Sequence, residues 1–405
     1  MDSNSLFLWI ATSVVILTSF ILAYPQPSLK LKEDIIPLAR RYASSEDPVT
    51  PLKGVKVVIT GATGGIGLGL VEHFATMGAT VIALGRSASK LKALQDQFPE
   101  QEIVPVEIQL TDLASVQKAA NEIASKFPAI DILINNAGIH YAAHTNSSLA
   151  KAPTTPQGLD QSFGVNYVSH FLLTEKLLDA LKQSKHQPTV VQISSSFHWA
   201  VDGSELVIPS SSVTKNDNTN ATTLQHPIAA IPGMFTSGLF GPQRAYANSK
   251  LAQILHARAL QRRCGQTVVV RSICPCWVGT GIAGQDLSGK WLGYTAYPNN
   301  GYGVKSALTA ALDTTTSTTT IGTDFYTNSP VTGWAQALPS IFHASWFYTY
   351  QLRDTFTLAF AGIIWSLQRF MATVHVGGAS PESFDETLQE SLYQWSMETV
   401  QPFLG

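Results

Sequence analysis

Two stretches of this chain carry residue types that could do chemistry together. Tyr246-Ala247-Asn248-Ser249-Lys250 places a phenol and an ammonium four positions apart. On a helix, positions i and i+4 share a face, one turn apart. A free phenol has a pKa near ~10, too high for ready proton transfer at neutral pH. A neighbouring positive charge lowers it, so the pair could act as an acid/base. The second stretch is Thr60-Gly61-Ala62-Thr63-Gly64-Gly65-Ile66-Gly67. It follows a strand-like run, Val55 to Ile59, and opens a helical one, Leu68 to Met77. A strand, a glycine turn and a helix N-terminus together make a site for a dinucleotide's phosphates. Glycine lets the backbone approach a pyrophosphate, and the first helical N–H groups meet the anion.

The end of the next strand reads the cofactor. Val81-Ile82-Ala83-Leu84-Gly85 runs into Arg86, with no carboxylate at the strand end. A carboxylate there would bind the ribose hydroxyls of NAD and repel a 2′-phosphate. Arg86 can pair with that phosphate, with Ser87 assisting, so NADP(H) is the expected cofactor.

These residues need a frame that brings them together. Apolar, β-rich runs occur at Val55–Ile59, Thr80–Leu84, Ile103–Ile108, Ile130–Ile134, Thr189–Ile193 and Thr267–Ile273. Helical runs lie between them, among them Ala114–Lys126 and Gly164–Gln183. Short buried strands alternating with helices predict an α/β fold: a Rossmann-type, doubly wound parallel sheet in three layers. Such folds bind ligands at the carboxyl ends of their strands.

Further motifs stand in a fixed order: Asn135-Asn136-Ala137-Gly138, then Val165-Asn166-Tyr167, then Ile193-Ser194-Ser195, then the Tyr-x-x-x-Lys segment. With the T-G-x-x-x-G-I-G spacing, this set resembles the short-chain dehydrogenase/reductase family over about residues 52–330. Its nearest likeness is to retinol dehydrogenase-like and WW-domain oxidoreductase-like members, although no WW domain is visible. The resemblance implies a catalytic set of Asn166, Ser195, Tyr246 and Lys250. Ser195 would orient the substrate oxygen, and Asn166 would support a water linking Lys250 to solvent. Lys250 would also hold the nicotinamide ribose. Gly61, Thr63, Gly65, Ile66, Gly67, Asp112, Leu113, Asn136, Ala137 and Gly138 would line the cofactor beside Arg86. Pro275-Cys276-Trp277-Val278-Gly279-Thr280 resembles P-G-x-V-x-T, so Pro275, Val278 and Thr280 join that lining. Cys276 replaces the usual glycine, and a Cβ at that permissive position would strain or reshape this loop. Ser169 likewise stands where many relatives have glycine. His140, His170 and His198 show no metal spacing and read as packing residues, with His198 near enough to Ser195 to border substrate. No metal site is expected.

Composition sets the context. Hydrophobic residues make up 45% of the 405 and charged residues only 13%, with a net charge of -2. That balance leaves no basic footprint for nucleic acid. Three cysteines make no disulfide framework, which fits a reducing environment. Leu6 to Tyr24 is uncharged and mostly apolar, about the length a membrane span needs. Basic residues follow rather than precede it, which predicts an uncleaved anchor with the body facing the cytosol, in the endoplasmic reticulum. Sequons at Asn146 and Asn220 would report the opposite orientation if glycosylated.

The resulting organisation is an N-terminal transmembrane anchor over 1–24, a linker over 25–51, and the dehydrogenase domain over 52–330. An apolar insertion and a C-terminal helix of the same domain fill 331–405. A polar insertion, 202–241, separates Ser195 from Tyr246 by 51 positions. Residues 341–371 are a second candidate for contact with membrane or substrate. The expected activity is membrane-anchored interconversion of a carbonyl and an alcohol on an apolar substrate: a retinoid, steroid or lipid aldehyde. A non-catalytic NADP(H)-binding sensor or scaffold is the alternative. A homodimer and a monomer both stay open.

Overall fold

Strand residues that are apolar on both faces must be covered on both faces, and the topology shows how. In the computed structural model, eight strands form one sheet in the order β3-β2-β1-β4-β5-β6-β7-β8. They are β1 (Lys56–Thr60), β2 (Thr80–Gly85), β3 (Ile103–Glu107), β4 (Ile132–Asn135), β5 (Thr189–Ile193), β6 (Val269–Cys274), β7 (Phe325–Thr327) and β8 (His375–Val376). The first seven are parallel, and β8 closes the edge antiparallel to β7. The structure describes residues 28–140, 153–201, 203–206, 243–276, 278, 280, 301–315, 324–328 and 374–405. The 6–24 anchor, both sequons, nearly all of the 202–241 insertion and the 341–371 segment lie outside these. Among the described residues no helix is long and apolar enough to cross a membrane.

Among the described residues the helices of eight residues or more are α1 (Ile36–Ala43), α2 (Gly65–Thr76), α3 (Ala88–Gln97), α4 (Leu113–Lys126), α5 (Ser169–Lys182), α6 (Gln243–Cys264), α7 (Lys305–Leu312) and α8 (Glu386–Val400). Side chains alternate across each strand, so two cores form. Val58, Ile82, Leu133 and Val190 face the layer of α4, α5, α6 and α8. Val57, Ile59, Ile134 and Val191 face the layer of α1, α2, α3 and α7. The three-layer, doubly wound arrangement follows. The strand order reverses between β1 and β4, which makes that crevice the switch point where ligands bind.

The stretch 25–51 is not simply a linker. A π turn at Leu31–Ile35 leads into α1, which packs on the body through Ile35, Ala39 and Tyr42. Tyr42 then donates to the Gln187 carbonyl at 2.9 Å. Pro37 sits in the first turn of α1, where its missing N–H costs nothing, so proline starts this helix rather than breaking it.

One buried ion pair ties α6 to the sheet edge. Arg258 Nε donates to Asp324 Oδ2 at 2.6 Å and Nη2 to Oδ1 at 3.1 Å. Its Nη1 donates to Ser383 Oγ at 2.7 Å, and its guanidinium stacks 3.7 Å from the Phe384 ring centroid. Asp324→Ala leaves a buried guanidinium unpaired and is expected to cost about 3–5 kcal/mol, read by chemical unfolding.

Candidate active site

The glycine turn shapes the mouth of the switch point. A Cβ on Gly67 would lie 2.1 Å from the Gly61 carbonyl oxygen, so nothing larger than glycine fits. Gly65 has φ +56, and a Cβ there would come within 3.2 Å of Thr280 Cγ2. Gly64 caps α2 without a side-chain bond, leaving the first N–H groups for an anion. Ile66 packs with Val278, so the glycine turn and the 275–280 loop meet. Thr63 lies against the end of β2, where a Cβ on Gly85 would sit 3.3 Å from its methyl. Arg86 follows directly and is exposed. Ser87 caps α3 through Lys90 N–H at 3.4 Å. Asp112 caps α4 through Ala114 N–H at 3.1 Å and also accepts from Gln157 at 3.0 Å, while Leu113 is buried.

Thr60, at the end of β1, joins three segments. Its Oγ1 accepts the N–H groups of Asn136 and Ala137, each at 2.9 Å. It donates to His170 Nε2 at 2.9 Å. The direction is fixed by the other ring nitrogen. Nδ1 faces the Asn166 carbonyl at 2.9 Å, which only accepts, so Nδ1 carries the proton. Burial holds this ring neutral, with its pKa lowered to about 4.

Asn166 lies in a π turn, Gly164–Val168, that leads into α5. Such turns recur at functional sites. Asn166 Oδ1 accepts from Ile139 N at 2.8 Å, and its Nδ2 donates to Ile139 O and Ser249 Oγ, each at 3.0 Å. Ser249 in turn donates to the Tyr246 carbonyl at 2.6 Å. Ser169 uses its extra hydroxyl on the Leu110 carbonyl and on Gly164 O at 2.8 Å.

Ser195, just beyond β5, has its hydroxyl beside the Tyr246 side chain, and that hydroxyl accepts Phe197 N–H at 3.3 Å. Ser194 donates to the Lys250 carbonyl at 2.7 Å and so pins α6 against the end of β5. Lys250 Nζ donates to Ile193 O at 2.8 Å and to Gln253 Oε1 at 3.0 Å. It lies 5.5 Å from the Tyr246 ring centroid. A Cβ on Gly138 would lie 3.5 Å from both Lys250 Nζ and Asn166 Oδ1, so the bare glycine leaves a gap beside them. The Tyr246 ring packs 4.6 Å from His140 and 5.5 Å from Phe197.

The structure therefore brings Asn166, Ser195, Tyr246 and Lys250 together. It corrects one electrostatic expectation. Burial pushes the Tyr246 phenol above its usual range, opposed by the Ser195 hydroxyl beside it, and Lys250 does not bring it down. Burial also lowers Lys250 to about 7. Desolvation disfavours both charges, and here it outweighs their attraction. His198 is the packing residue expected: it is fully buried behind Ser195, with Nδ1 on Ser195 O at 2.5 Å and Nε2 accepting Ser380 N–H at 3.0 Å.

Cys276 does take up the glycine conformation, at φ +63. Its Sγ meets Thr327 Oγ1 at 3.2 Å, and its N–H points to Cys274 Sγ at 3.4 Å. Val278 is buried, and its carbonyl accepts Thr280 N–H at 2.8 Å. Asn328, which sequence reasoning missed, braces this loop. It donates to Pro275 O at 3.2 Å and to Tyr302 O at 3.3 Å, and accepts Ser306 N–H at 3.0 Å. Thr60, Ser249 and Gln253 were also missed. Thr60 ends a strand ahead of the glycine turn, and Gln253 lies on the helical face of Tyr246 and Lys250. Those positions are the signals that could have found them.

The geometry suits a dinucleotide with a reacting group beside Tyr246, and comparison with known proteins agrees. The family described as short chain dehydrogenase matches residues 55–201. Polyprenol dehydrogenase of Homo sapiens is 30% identical over 282 residues, covering 66% of this chain and 75% of its own. Retinol dehydrogenase 14 of Mus musculus is 28% identical over 261 residues, covering 61% and 67%. An uncharacterised protein of Mycobacterium paratuberculosis shares the fold, with TM-score 0.52 and 21% identity over 86% of this chain and 94% of that one. The chain belongs to the short-chain dehydrogenase/reductase family, among its retinol dehydrogenase-like members. These are oxidoreductases that interconvert alcohols and carbonyls with a nicotinamide dinucleotide. The cradle of Gly65, Gly67 and Gly138, which any side chain would fill, fits such a group.

Two predictions follow from this site's packing. Burial lowers His170 and His198 from 6.5 to about 4, and His256 to about 3. Above ~6.5 these rings are neutral both folded and unfolded. Below it the unfolded chain takes up protons that the fold refuses. Stability is therefore expected to fall between about pH 6.5 and 4, by up to ~1.4 kcal/mol per pH unit for each ring. Urea unfolding at about pH 7 and about pH 5 checks this, and an unmoved midpoint would show the rings to be hydrated. Separately, Cys276→Gly relieves a left-handed Cβ. It is expected to leave turnover intact and stability within about 1 kcal/mol, whereas lost turnover would show that the thiol takes part in the chemistry.

Proposed function

We propose that this protein is a membrane-anchored, NADP(H)-dependent oxidoreductase that interconverts a carbonyl and an alcohol on an apolar substrate. The observation that carries the reading is that Asn166 and Lys250 border the gap beside Gly138, with Tyr246 next to Lys250 and Ser195 next to Tyr246. The names of its relatives support the substrate class, since polyprenol and retinol are apolar alcohols. The apolar run Leu6 to Tyr24 supports the anchor, because such substrates partition into membranes. The basic residues after that run favour a cytosol-facing body in the endoplasmic reticulum.

Bound NADP(H) supplies or accepts the hydride. The chain's own residues do the rest. The glycine turn and the α2 N-terminus would hold the pyrophosphate, and exposed Arg86 would take the 2′-phosphate. Asn136, Ala137, Gly138, Pro275, Val278 and Thr280 would line the nicotinamide end. The Ser195 hydroxyl orients the substrate oxygen. Tyr246 gives that oxygen its proton in reduction and removes it in oxidation. The phenol carries its proton at neutral pH, the form that reduction draws on, although burial also makes it a weaker acid. Lys250, poised at about 7, can carry charge or proton beside it.

The test is cofactor consumption by the detergent-solubilised full chain. NADPH and NADH would each be offered with retinal, ketosteroids and long-chain aldehydes. Turnover is expected to prefer NADPH. Tyr246→Phe should lower kcat by about 10²–10⁴-fold. Arg86→Asp should cost about 10–100-fold with NADPH and spare NADH. Tight NADPH binding with no turnover on any of these would favour the sensor or scaffold reading, and an NADH preference would overturn the role of Arg86.

A further inference from the structure

Lys250 is an ammonium taken out of water, and what receives its protons decides what it can do. It is 3% exposed. Both its acceptors, Ile193 O and Gln253 Oε1, are neutral. Gln253 is 1% exposed and lies one turn beyond Lys250 on α6, on the face that also carries Tyr246. The orientation of its amide is fixed by chemistry. An ammonium only donates, so the carboxamide oxygen must face it and the NH₂ must point away. That NH₂ is buried and has no acceptor.

It is not alone. Gln192 Oε1, His256 Nε2 and Ser272 Oγ are buried nearby without partners. Gln192 on β5 and Ser272 on β6 are register neighbours, and Gln192 meets His256 of α6 at 3.4 Å. A row of unpaired buried polar atoms is costly, and bound water is the ordinary remedy.

We propose that Gln253 is the positioning residue of this site, holding the Lys250 ammonium beside Tyr246 with its oxygen and a buried water with its NH₂. This rests on the catalytic role proposed for Lys250. An amide suits the task where a carboxylate would not. A glutamate would lock Lys250 as an ion pair, whereas a neutral oxygen leaves it able to titrate. The other groups facing Lys250 are Tyr246 on the same helix, His170 of α5, held neutral, and Cys274 of β6. The direction of the Lys250 shift, down to about 7, agrees with an ammonium that has only neutral acceptors.

The test uses the full chain with Gln253→Met and Gln253→Glu, both near in size to glutamine. The readout is the pH profile of retinal reduction with NADPH, with thermal unfolding as the control for folding. Gln253→Met removes an acceptor from the charged form. It is expected to move the basic limb about one pH unit lower and to reduce kcat about tenfold, with KM for retinal little changed. Gln253→Glu should move the limb higher. Equal losses of activity with an unmoved limb in both variants would reduce Gln253 to packing and overturn the proposal. Wild-type protein inactive on the whole panel would count against the proposed function instead. In that case, or if both variants unfold, a high-resolution crystal structure of the wild type decides. A water on Gln253 Nε2 together with the Nζ–Oε1 bond supports the proposal, and a Gln253 turned away from Lys250 overturns it.

Discussion

One hydroxyl at the end of β1 holds the site in register. Thr60 Oγ1 accepts from the Asn136–Ala137 turn and donates to His170, which donates to the Asn166 carbonyl. Asn166 bonds Ser249, and Ser249 bonds the carbonyl of Tyr246. Five residues on three elements and a turn thus run from the glycine loop to the acid/base without a break. Each link has a fixed donor and acceptor, because the backbone carbonyl at Asn166 dictates the tautomer of His170 and that tautomer dictates the rest. A buried network this fully satisfied specifies one arrangement, and a missing link would leave an unpaired polar group in a dry core. Positioning the phenol is therefore the work of the whole switch point rather than of α6 alone.

The same burial that makes the network strict sets its electrostatics. Tyr246 and Lys250 both lose water, and both are driven toward their neutral forms. From spacing alone, Lys250 should lower Tyr246, because opposite charges attract. That argument holds at the surface. Inside, the cost of charging either group comes first, and the attraction appears only once something restores charge to the site. The site as folded rests with its proton on the phenol and with a lysine close to titration.

Much of this was legible in the chain. The strands leading into the glycine turn, the Asn-Asn-Ala-Gly turn and the serine are apolar runs buried on both faces, so their composition revealed them. β7 and β8 escaped because three and two residues make no periodicity. α1 escaped because its polar face and its proline read as linker, while its few apolar residues found a partner only in the folded body. The catalytic set was legible because its spacing is imposed by chemistry. Thr60, Ser249, Gln253 and Asn328 were not, because they touch other protein groups rather than substrate or cofactor. Their types are common, and only the register of β1, β6 and β7 shows what they face.

Cys276 shows how such bracing replaces intrinsic preference. A Cβ at φ +63 is disfavoured where glycine would be free. The loop keeps this conformation because its neighbours determine it. The thiol meets Thr327, the Cys276 N–H meets Cys274, and Asn328 clamps the carbonyls of Pro275, Tyr302 and Gly303 from β7's end. β7 is short, yet it supplies both Thr327 and the residue that follows it. The sheet edge, itself held to α6 by the Arg258–Asp324 pair, thus sets the backbone on which Val278 and Thr280 meet the glycine turn. Residue identity at the glycine position matters less than the edge strand that holds it.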